Sequence, residues 1–114
     1  MLEGKFGFAA FDLHPANEGH FLVIPYRRFP DYFDINDDEL MELWQLVAKG
    51  KKIVDEKHNP DGYNVGINVG EWAGQSIPHL HIHVIPRYKG DVENPKGGVR
   101  GVVPKRKLYT IKPD

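Results

Sequence analysis

His79, His81 and His83 alternate with the apolar residues Leu80, Ile82 and Val84, the pattern of a strand with one polar and one buried face. Residues two apart on a strand share a face at steps of roughly 6.6 Å, so the spacing predicts three imidazoles lining one surface. A lone histidine is usually solvated or satisfied locally, but three in register have no comparable structural explanation. Adjacent imidazoles disfavour each other's protonation, which leaves at least one neutral and nucleophilic near neutral pH. Such a group can attack phosphorus. Two histidines at i and i+2 also occur in zinc sites, so a metal reading stands beside the phosphate one. Gly74, Gln75 and Ser76, just before the triad, supply small residues and hydrogen-bond donors that suit phosphate oxygens better than a cation. The reading is therefore a phosphate site with no metal and no cofactor.

The triad needs a scaffold, and the flanking sequence supplies one. Phe6 to Leu13 and His20 to Tyr26 are aromatic and β-branched runs separated by the turn formers Pro15, Asn17 and Gly19, which predicts neighbouring strands. Asn36 followed three residues later by Glu39 reads as a capped helix start, and Leu40, Leu43, Trp44, Val47 and Val54 recur at helical spacing. The expected helix runs from about 37 to 57 and stops at Asn59-Pro60-Asp61-Gly62. Tyr63 to Val69 reads as a strand, 70 to 78 as a loop, and His79 to Ile85 as the clearest strand, ending at Pro86. The tail from Lys89 to Lys107 reads as loop, with a last strand at Leu108 to Ile111. Strands flanking a single helix predict an α+β domain, a mostly antiparallel sheet with one main helix on one face.

Composition bounds the rest. The 114 residues fit one domain, residues 1–114, and 40% hydrophobic with 27% charged residues is an ordinary globular balance. A formal net charge of -1 gives no field that would draw the chain to nucleic acid or an anionic membrane. The absence of cysteine removes thiol nucleophiles, disulfides and thiolate zinc sites. No leader or membrane span is visible, which makes the cytoplasm the default location.

The run His79-Leu80-His81-Ile82-His83-Val84-Ile85 resembles the His-φ-His-φ-His-φ-φ signature of the histidine triad (HIT) nucleotide hydrolases and transferases, φ being hydrophobic. The likeness extends from Asp12-Leu13 through His20 to Pro25, Asn68 and Gly74-Gln75-Ser76 to Pro86-Arg87. It implies a HIT-like fold in which His81 attacks the α-phosphorus of a dinucleoside polyphosphate or nucleoside phosphoramidate, forming a covalent nucleotidyl-imidazole that water hydrolyses to a nucleoside monophosphate. It further implies that His83 contacts the phosphate and that His79 and His20 belong to the supporting network. Asn68, Gln75 and Ser76 would bind phosphate or bridging oxygens, Asp12 the ribose hydroxyls, and Leu13 and Phe11 would floor the base pocket.

Pro86-Arg87-Tyr88-Lys89-Gly90-Asp91 is more similar to the dinucleoside polyphosphate hydrolase branch than to the phosphoramidase branch. The implied partners are a purine nucleotide substrate and a second copy in a homodimer, with no nucleic acid and no membrane. The segment before the first strand is short relative to the family. A nucleotide-binding module with little turnover, and nucleotidyl transfer to phosphate, are the alternatives. His14 and His58 read as structural. Trp72 has no assigned role, and the basic residues after the triad read as solvated surface or as contacts to distal phosphates.

Overall fold

The computed structural model describes residues 1–109. Two short early strands, β1 (Leu2–Glu3) and β2 (Gly7–Phe11), are followed by β3 (Phe21–Pro25), the helix α1 (Asp37–His58), β4 (Gly62–Gly66) and β5 (Ile82–Arg87). The strands form one antiparallel sheet in the order β1-β2-β3-β5-β4. This is the α+β architecture that the pattern predicts, with β1 as an unanticipated addition. At two residues, β1 is too short to carry an alternation signal.

The helix starts where its cap does. Asn36 accepts from the Glu39 amide at 2.9 Å while the Glu39 carboxylate accepts from the Asn36 amide at 3.2 Å, a reciprocal capping box. Glu39 is buried and receives Arg27 at 2.7 and 3.1 Å, so its charge is paired rather than stranded. At the other end Asn59 adopts φ 49°, the left-handed conformation that terminates helices and that asparagine tolerates.

One face of α1 presses on β2, β3 and β5. Leu43, Leu46 and Val54 of the helix meet Ala9, Phe21, Val23, Leu80, Ile82 and Val84, all buried. Each of these side chains larger than alanine contributes roughly 1.5–3 kcal/mol on burial. A Cβ on Gly50 would lie 2.5 Å from the Phe21 ring; only a glycine lets the helix approach this closely. The alternation of β5 is as predicted for Leu80, Ile82 and Val84, which are 0, 0 and 1% exposed.

The strand itself differs from expectation. It begins at Ile82 rather than His79 and runs through Pro86 to Arg87. Its partner β3 ends at Pro25, which has no amide to extend the ladder, and the Leu80 amide instead bonds the Phe29 carbonyl at 2.8 Å. Pro86 is tolerated because the β3 pairing spans only Ile82 to Val84, leaving β5 open on that side at Pro86. Beyond it the tail forms single turns at Gly98–Val102 and Pro104–Arg106. Leu108 and Tyr109 are not in a strand, while the remainder of the expected last strand lies outside the described residues. Among the described residues no helix is long and apolar enough to cross a membrane.

Candidate functional site

The uncovered face of the sheet carries the site. Paired residues project to the same side, and the pairs Leu22↔His83 and Ala10↔Leu22 put Ala10, Leu22 and His83 opposite the helix. Phe11 pairs with Phe21, a core residue, and Lys57 of the helix lies 5.7 Å above its ring. Phe11 is therefore on the helix face and does not floor a pocket beside the triad. Leu13 is 90% exposed, just beyond the end of β2.

The contiguous imidazole cluster is His20, His83 and His81, not the sequence triad. The ring centroids of His81 and His83 are 4.9 Å apart, and those of His20 and His83 5.2 Å. His79 turns away, and its Nε2–H donates to the Pro25 carbonyl at 2.9 Å. The bond to Pro25 holds the His79 ring apart from the other two.

The bonds fix which nitrogen carries each proton. The Ala16 amide, which can only donate, bonds His20 Nδ1 at 3.0 Å, so the His20 proton is on Nε2. That Nε2–H donates to His83 Nδ1 at 3.0 Å, which puts the His83 proton on Nε2, facing outward. His81 Nδ1–H donates to the His79 carbonyl at 2.9 Å, leaving the His81 Nε2 lone pair bare. The outcome is a nucleophilic nitrogen beside a neutral N–H donor.

Burial favours the neutral forms of His20 and His83. It pushes the His20 pKa below the usual imidazole range, against the opposing pull of Asp12. His83 is lowered first by burial and then by the neighbouring His81 and His20.

Asp12 has two occupations. Its Oδ1 accepts the His14 amide at 2.9 Å, closing a local turn, and its Oδ2 lies 3.6 Å from His20 Nε2. Asp12, His20 and His83 also place ligand-type atoms within 4.8 Å of one another. A cation there would need the His20 Nε2 lone pair, but Ala16 holds the proton on that nitrogen, so the donor set does not fit a metal.

Asn68 lines a cavity with His20 and His83. Gln75 does otherwise: its oxygen accepts the Gly70 amide at 2.9 Å, and its nitrogen donates to the Pro30 and Ile77 carbonyls at 2.8 and 3.2 Å. It braces the loop before the triad, whose Gly70 and Gly74 have φ 91° and 95°, conformations that favour glycine. Ser76 is exposed in the same loop, and Trp72 is wholly exposed. Arg87 is held by Asp91 at 2.7 and 2.8 Å and donates to Asn64 at 2.6 Å, while Arg100 binds the Arg106 carbonyl.

A HIT domain model matches residues 2–90. The chain belongs to the HIT domain family. An AP-4-A phosphorylase of Mycobacterium tuberculosis (strain ATCC 25618 / H37Rv) is 43% identical over 92 residues, covering 80% of this chain and 47% of that protein. A bis(5'-adenosyl)-triphosphatase of Dictyostelium discoideum is 40% identical over 90 residues, 79% of this chain and 60% of that one. This HIT chain thus spans about half the length of these curated relatives. Their names fall in the dinucleoside polyphosphate branch that the residues after the triad resemble. The crystal structure of a HIT family protein from Bacillus anthracis superposes with a TM-score of 0.76 at 26% identity, covering 100% of this chain and 71% of that chain.

Proposed function

We propose that this HIT chain cleaves dinucleoside polyphosphates at the α-phosphate through a covalent nucleotidyl-His81 intermediate. One observation carries the reading: the His79 carbonyl holds the His81 proton on Nδ1, so Nε2 is free to attack. In the first step the Nε2 lone pair forms a bond to the α-phosphorus, and the bond to the bridging oxygen breaks with its electron pair leaving on that oxygen. The His79 carbonyl then faces a cationic ring, and a hydrogen bond to a charged group is worth roughly 1.5–3 kcal/mol. His83 Nε2–H and the Asn68 amide suit the non-bridging oxygens, with Ser76 a further donor. Water next attacks phosphorus and gives up a proton to solvent, the P–N bond returns its electrons to Nε2, and a nucleoside monophosphate departs.

A polyphosphate leaving group is stable as an anion, its last pKa being about 6, so it needs no strong general acid. A phosphoramidate must deliver a proton to its amine. The neutral His83, lowered by burial, fits the first better than the second. The nucleoside held in place is a purine, with Asp12 at its ribose and Leu13 beside its base. In this reading the protein works in the cytoplasm as a homodimer, joined through the outer edge of β4.

Incubation of wild type and His81→Ala with diadenosine tetraphosphate, following AMP by chromatography with and without a chelator, tests this. The expected result is AMP from wild type alone, a loss of at least about a thousandfold in the variant, and no effect of chelation. Ligand-induced thermal stabilisation without AMP would mean a binding module instead, and activity lost on chelation would overturn the metal-free mechanism.

A further inference from the structure

A cavity of about 460 Å³ adjoins His83 on the side away from β2. Its floor is β4 and β5 with the residues that follow β4, and its roof is the turn Gly98–Val102. The size exceeds what a phosphate or an amine requires and falls within the roughly 300–1,000 Å³ typical of organic ligand sites.

Its lining is mixed in a specific way. Ile67, Ile85, Val99 and Val102 provide apolar walls, and Asn64 and Asn68 bring amides. Arg87 donates to Asn64 Oδ1 at 2.6 Å and is itself clamped by Asp91. That fixes the carbonyl end of Asn64 and turns its Nδ2 toward the roof, where it lies 3.5 Å from the position of a Cβ on Gly98. An amide with both N–H groups presented beside apolar walls suits a flat ligand with ring acceptors.

The roof is held in place rather than draped. Gly97 and Gly98 have φ 96° and 50°, and a Cβ on Gly97 would collide with the Lys107 carbonyl. Arg100 anchors to the Arg106 carbonyl at 2.9 and 3.1 Å, and Lys107 to the Asn94 carbonyl at 2.7 Å. None of these basic side chains is spent inside the cavity.

We propose that this roofed compartment receives the nucleoside of the leaving group. The inference rests on the reading of His81 as nucleophile on a nucleotide α-phosphorus. With Asp12 and Leu13 taking the nucleoside that stays on His81, the compartment across His83 is free for the second one. The chain would then select substrates with a base at both ends.

The test measures binding by calorimetry in the inactive His81→Ala protein, using diadenosine tetraphosphate and AMP, with and without Val99→Asp and Val102→Asp. Both valines are more than half exposed, at 63 and 81%, so the fold tolerates the change, and an unchanged thermal midpoint confirms it. The expected result is a fall of about tenfold in the affinity for diadenosine tetraphosphate relative to AMP. The milder pair Val99→Ala and Val102→Ala should show a smaller fall in the same direction. An unchanged ratio, or AMP weakened as much as the dinucleotide, overturns the second compartment while leaving the nucleophile reading intact. Failure of both ligands to bind the unaltered roof overturns the nucleotide reading itself.

Discussion

The protonation pattern of His20, His81 and, through His20, of His83 is set by main-chain atoms. The Ala16 amide, the His79 carbonyl and the Pro25 carbonyl each fix one imidazole, and main-chain groups cannot change their role with pH. Burial costs appear instead in stability. An unfolded histidine takes up a proton near pH 6.5, while folded His20 and His83 resist it because their values are lowered. Stability present above pH 6.5 is therefore lost as the pH falls from 6.5 through the lower folded values. Urea midpoints between pH 7.5 and 5 should decline with a slope that His20→Gln makes shallower by up to about 1.4 kcal/mol per pH unit; equal slopes would refute the assignment. At this scale His81 and His83 were legible, since alternation and family likeness both mark them, while His20 was marked by the likeness alone. The actual posts of His79 and Gln75 were not, because their partners Pro25 and Pro30 are 54 and 45 residues away.

The helix and its seat on the sheet are the next level. Gly50 disappears into the helical pattern, yet it decides how near α1 comes to Phe21. Gly50→Ala gains about 1 kcal/mol of helix propensity but forces a methyl into a filled core, which costs about 1–3 kcal/mol. We expect a net lower urea midpoint, partly restored by adding Phe21→Leu; a higher midpoint for the single variant would show that the seat is not tight. The helix boundaries were readable because Asn36, Glu39 and Asn59 act on their immediate neighbours. The start of β5 was not, since it depends on where β3 stops at Pro25. The turn over the second compartment was also invisible, as Gly97 and Gly98 signal a bend without saying what it covers.

In the whole molecule, β4 is the outermost strand on its side, and no strand pairs with its free edge among the described residues. Val65 on that strand is 37% exposed. An open edge with an apolar side chain invites a second strand, consistent with the homodimer proposed above. Light scattering on a sizing column should give twice the mass of one chain, and Val65→Lys should reduce it to a single chain with the fold retained. A wild-type monomer at micromolar concentration would remove the dimer from the proposal.

The strand order also sets a sequence of events during synthesis. The strand bearing His83 is the last of the five to be made, yet its place is between β3 and β4. Until it emerges, Phe21 to Pro25 remains an unpaired apolar border, the kind of surface that nascent chains lose to aggregation. When it inserts, that border is sealed and His83 meets His20 in the same motion. A ribosome-bound fragment lacking the last strand would be sticky, and completing the sheet assembles the His20–His83 pair.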